Sequence, residues 1–122
     1  MSNVKLGYRG ELPPQPFNMA RYCLHAANAA GDKCALLVVH DPDGRDVETW
    51  SYAAIEQAVL RAADTFGAKY QLKRGSRLLI RLRNRTAYAI AFFGAIAGGF
   101  IPVPASPDLT GRELSFMLED AE

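Results

Sequence analysis

A chain of 122 residues with 49% apolar and 22% charged residues is long enough for one real core and ordinary for a soluble globular domain. A net charge of +1 gives no support for a nucleic-acid or membrane-surface partner, and the polar residues 1–10 lack the apolar stretch of a secretory leader. Cys23 and Cys34 are too few for a disulfide framework and lie outside metal-ligand spacing, so they read as buried or half-buried thiols in a cytoplasmic protein.

Residues 1–16 end in LPPQP and read as an extended arm. A first helix is expected over 18–30. Asn18 is a good N-cap, Phe17 and Tyr22 form a hydrophobic staple, and Met19, Tyr22, Cys23, Ala26 and Ala30 share a helical stripe before Gly31 stops it. Residues 34–40, CALLVVH, read as a strand buried on both faces. An Asp43-Gly44 turn and the alternating VETWSY then predict a hairpin. His40, Asp41 and Asp43 raise a metal site, but three ligands crowded into a proline-containing turn converge poorly, and no metal ligand is assigned. His25 has no acidic or cysteine neighbour and receives no role.

Ser51 caps the next helix, in which Ile55, Val59, Ala62, Ala63, Phe66 and Tyr70 form one apolar stripe opposite Glu56, Gln57, Arg61 and Asp64. Residues 77–83, RLLIRLR, read as a strand with Leu78, Ile80 and Leu82 on one face and Arg77, Arg81 and Arg83 on the other. This arginine face invites a nucleic-acid reading, yet no aromatic residues interleave with it. The favoured reading is structural: buried stems with heads paired to carboxylates, or a face covered by chain outside these residues.

From Thr86 to Pro107 no residue is charged. The helical part, about 87–97 and capped by Thr86 or Asn84, rises only ~16 Å, too short to span a bilayer. Gly98-Gly99 stops it, Pro102 and Pro104 prevent its resumption, and residues 100–103 read as a short parallel strand. Gly94 and Gly98 predict close helix-on-strand packing. Thr110 and Glu113 form a capping box, with Leu109 and Leu114 as its staple and Leu114, Met117 and Leu118 as the buried stripe of a last helix.

Strand-helix-strand repeats with short connections predict an α/β fold: an open, largely parallel sheet with helices on both faces plus an N-terminal hairpin. Ligands in such sheets bind outside the carboxyl ends of strands, here residues 84–86 and 105–110. Neither end carries a catalytic constellation. GAIAGG closes a helix instead of opening one, and there is no phosphate loop, nucleophile elbow or paired His or Cys ligand set. No residue is assigned as catalytic.

WSYAAIEQAVLRAADTF, GSRLLIRLRNRTAYAIAFFGAIAGGFIPVPASP and TGRELSFMLEDA together resemble the N-terminal part of adenylate-forming enzymes, the acyl-CoA synthetases and AMP-dependent ligases. The family's "[ST]Y-x-E-L", "GDRV" and "aGa-x-x-P-x-x-P" patterns fall on Ser51 to Ile55, Gly75 to Leu78 and Gly98 to Pro104. PFNMARYCL is similar to the benzoate-type and medium-chain branch, and AFFGAIAGG with VPASP to fatty acyl-AMP ligases. Ala54 stands where the family has an acidic residue and Ser76 where it has Asp, both in scaffold elements. The resemblance covers residues 17–122 and implies a partial N-terminal α/β portion of a ligase about four times this size. Such an enzyme would activate a carboxylic acid with ATP and Mg²⁺ to an acyl-adenylate, then transfer it to coenzyme A. AMP replaces a poor leaving oxygen while Mg²⁺ and a lysine offset developing phosphate charge. The phosphate loop, adenine and ribose contacts and catalytic lysine would all lie beyond these residues.

The resemblance places the coenzyme A approach at residues 106–112, with Arg112 as the phosphate partner; a solvated helix start is the plainer reading of that arginine. The implied partner is the remainder of the ligase chain, and uncovered apolar surface predicts self-association. Neither nucleic acid nor a transmembrane segment is expected. The alternative, from another class, is a free-standing non-catalytic α/β interaction module.

Overall fold

The computed structural model describes residues 15–25 and 27–121. The extended arm expected over 1–16 falls almost wholly outside them, as does Ala26. Among the described residues five α-helices and four strands follow one another: α1 (Met19–Leu24), α2 (Ala27–Ala30), β1 (Cys34–Val39), β2 (Val47–Ser51), α3 (Tyr52–Asp64), β3 (Arg77–Ile80), α4 (Thr86–Ala97), β4 (Ile101–Pro104) and α5 (Gly111–Asp120).

The core lies between α3 and α4. Leu24, Ile55 and Val59 are buried, and Leu36, Trp50, Ile90, Phe93 and Ala97 pack around them, so α1 and the hairpin close over the same helix pair. Val59 is only 1% exposed. The approach of the two helices is set by Gly94: a Cβ built there would stand 2.7 Å from the Ala62 Cβ and 3.3 Å from the Val59 carbonyl oxygen. The expected close approach therefore occurs helix on helix and not helix on strand.

The expected first helix is two short ones. Asn18 caps α1, its side chain accepting from the Arg21 N–H at 3.1 Å, and Phe17 meets Tyr22 with ring centres 5.6 Å apart. The buried face, however, is Ala20 and Leu24, while Met19, Tyr22 and Cys23 face outward. Asn18 explains the rotation, because its amide also donates to the Ile96 carbonyl at 2.8 Å and pins the start of α1 against the end of α4. Beyond Leu24 the chain tightens into three-residue turns, His25 to Tyr22 and Asn28 to His25. The segment HAANAA offers no large apolar residue to hold a longer helix in place.

β1 and β2 form the expected antiparallel hairpin, with Leu36 opposite Trp50 and Val39 opposite Val47. β1 is not buried on both faces: Leu37 is 55% and Val39 51% exposed. The hairpin stands apart as its own two-stranded sheet, so α3 covers one face and no described element covers the other. The largely parallel sheet is likewise two separate pairs, since β3 and β4 pair parallel only with each other. β3 ends at Ile80, short of the expected 83, because the partner register runs out at Pro104.

Ser51 caps α3 by accepting from the Ala54 N–H. The apolar stripe holds through Phe66, whose ring meets Phe100 edge-on. Residues Thr65–Lys69 then widen into a π-helical turn in which Tyr70 N–H reaches the Thr65 carbonyl. That extra residue shifts the phase of the helix, and Tyr70 leaves the stripe at 60% exposed.

α4 is preceded by Arg85, which offers no side-chain cap, so neither Thr86 nor Asn84 is the N-cap; Thr86 is the first helical residue and is buried. The expected Gly-Gly stop is a Schellman ending. Phe100 N–H reaches Ala95, Gly99 N–H reaches Ile96, and Gly99 takes φ +79°. β4 follows at once. Ile101 and Ala105 donate toward β3, to Ser76 and Ile80, while Pro102 and Pro104 occupy alternate positions without an N–H. The capping box of α5 is present, but its stripe is only half-buried at Leu114 and Met117, and Leu118 is exposed.

Because the α3–α4 approach has no room at Gly94, Gly94→Val is expected to destabilise the chain by about 1–3 kcal/mol. Gly111→Ala, in open space at the start of α5, should stay within about 0.5 kcal/mol of the parent. Urea unfolding midpoints with unchanged slopes would register both.

Candidate functional site

The carboxyl ends of β3 and β4 lie side by side, where an α/β unit presents ligand-contacting loops. Beyond Ile80 the chain runs through Arg81, Arg83 and Arg85 before α4 begins. Arg81 is held: its Nη2 donates to the Pro107 carbonyl at 3.0 Å and to the Leu109 carbonyl at 2.7 Å. The expected pairing of this arginine with a carboxylate is thus made to two neutral oxygens instead. Arg83 approaches Asp108 at 3.7 Å, with both side chains largely in solvent, a weak pair. With Leu82, Ala87 and Pro107 the three arginines line a groove of about 350 Å³. Arg77, the remaining member of the expected arginine face, is exposed and lies away from this groove.

The loop leaving β4 reaches α5 through Thr110, whose hydroxyl and N–H both contact the Glu113 carboxylate, at 2.7 and 2.8 Å. These bonds hold the Glu113 carboxyl below its ordinary value of 4.5, the Thr110 backbone bond first and its hydroxyl second. Arg112 sits between them as the second residue of α5, exposed, and is not among the groove's lining residues.

Glu48 of β2 carries a cluster that the sequence did not reveal. Its Oε1 accepts from the Trp50 indole N–H and from the Thr86 hydroxyl at 2.9 Å, while its Oε2 stands 3.0 Å from His40 Nε2. Its carboxyl is held below 4.5, chiefly by the Trp50 bond and then by Thr86, with desolvation opposing them and His40 adding less than either. Glu48, Trp50 and Thr86 are brought together only by the hairpin register and the docking of α4. No local motif announces that. The arrangement bolts the hairpin to the start of α4.

Among the described residues no group of three or more His, Cys, Asp or Glu is placed to hold a metal ion, and Asp41 and Asp43 do not converge with His40. Asp41 instead accepts from the Asp46 N–H within the turn. Cys23 and Cys34 are free and exposed, not buried, because α1 is rotated and Cys34 starts an edge of the hairpin. A depression of about 440 Å³ between α1, α3 and the end of α4 contains only Arg21 and Glu56 as charged groups on an otherwise apolar lining with Asn18. No helix among the described residues is long and apolar enough to cross a membrane.

The family model for AMP-binding enzymes matches residues 23–122, most of the chain. The chain belongs to the AMP-binding enzyme family. Over 119 residues it is 27% identical to 4-coumarate--CoA ligase 1 of Petroselinum crispum, covering 94% of this chain and 21% of that protein. It superposes on a benzoate CoA ligase from Burkholderia xenovorans LB400 with a TM-score of 0.71 and 25% identity, over 86% of this chain and 20% of that one. For the acetoacetyl-CoA synthetase from Streptomyces lividans the TM-score is 0.77 at 23% identity, over 87% of this chain and 16% of the other. The chain thus spans about a fifth of the length of the relatives it matches. Its fold is that of an N-terminal portion of an adenylate-forming enzyme.

Glu48 gives the cluster a pH signature. A carboxyl whose folded value lies below its unfolded value of 4.5 contributes stability that is present above that value and lost as pH falls through the folded one. Glu48→Gln should therefore lower the denaturation midpoint near neutrality, with the gap to the parent closing as pH falls from 4.5 through the lower folded value. Glu113 remains in the variant and leaves a residual acid sensitivity of the same sign. A gap that stays constant with pH would remove the carboxylate from this role.

Proposed function

We propose that this chain is the N-terminal part of an ATP-dependent carboxylic acid ligase that forms an acyl-adenylate and then passes the acyl group to coenzyme A. The observation that carries this reading is the AMP-binding family match over residues 23–122, with CoA ligases among the relatives at about a fifth of their length. ATP, Mg²⁺ and coenzyme A belong in this reading to the whole enzyme.

The contribution of these residues is the scaffold: the α3–α4 core and the β3–α4–β4 unit that holds two strand ends side by side. Arg112, the first arginine after the loop that leaves β4, is the residue assigned to the coenzyme A side, and its place in α5 is what supports it. Free thiols at Cys23 and Cys34 support a reducing, cytoplasmic setting.

The test is carboxylate-dependent exchange between ATP and pyrophosphate. The 122-residue chain should give none above background, while the whole protein should exchange with an aryl or a fatty acid, and Arg112→Ala in it should raise the KM for coenzyme A. Exchange by the 122 residues alone, or its absence from the whole protein across a panel of acids, would overturn the reading.

Leu37, Val39 and Val47 on the hairpin and Phe116 and Leu118 on α5 leave large apolar side chains in solvent, which supports association with the rest of the ligase chain or with a second copy. Light scattering of the 122-residue chain should show species above monomer mass that grow with concentration; a clean monomer at high concentration would count against it.

A further inference from the structure

We draw no further inference here: the strongest candidate, the apolar outward face of the β1–β2 hairpin at Leu37, Val39 and Val47, carries nothing because nothing in the structure shows what covers it.

Discussion

Two helices can share one core only as closely as their bulkiest contact allows, and in this chain that limit is set by a hydrogen atom. Gly94 lets α4 settle against Ala62 and the Val59 backbone of α3. The closeness of that seam decides what else can be buried. Leu24 from α1 and Leu36 and Trp50 from the hairpin reach the same cluster because α3 and α4 leave no gap between them. The Schellman ending of α4 then turns the chain directly into β4, so the parallel pair inherits its position from the helix pair.

Polar ties finish what packing begins. Asn18 joins α1 to the end of α4, Glu48 joins the hairpin to its beginning, and Arg81 joins the end of β3 to the loop after β4. Each links segments far apart in sequence, and each uses one side chain to fix two directions at once. A scaffold of this kind places two strand ends side by side, within the fold of an N-terminal portion of an adenylate-forming enzyme.

Where a signal is local, the sequence displays it. The caps at Asn18 and Ser51, the box of Thr110 and Glu113, the glycine stop of α4 and the apolar stripe as far as Phe66 depend on residues within a turn or two and are present, whereas the local cap expected of Thr86 or Asn84 is not made. The other failures share a cause. The outward turn of Tyr22, the exposed strand β1 and the split sheet depend on which partners arrive from elsewhere in the chain, and a run such as CALLVV carries the same letters whether one face is covered or two. The groove arginines were legible as a pattern, but Arg81's carbonyl partners were not, since they belong to a loop 26 and 28 residues away. Glu48 was invisible for the same reason.

Pro102 and Pro104 give the parallel pair a polarity of growth. On β4 the backbone groups facing away from β3 are carbonyls without matching N–H donors, so that margin cannot zip onto another strand through a complete ladder. On β3 the outward positions Arg77 and Leu79 retain both donor and acceptor. Lateral extension of this sheet by any strand is thereby steered to one side, and the other is chemically closed.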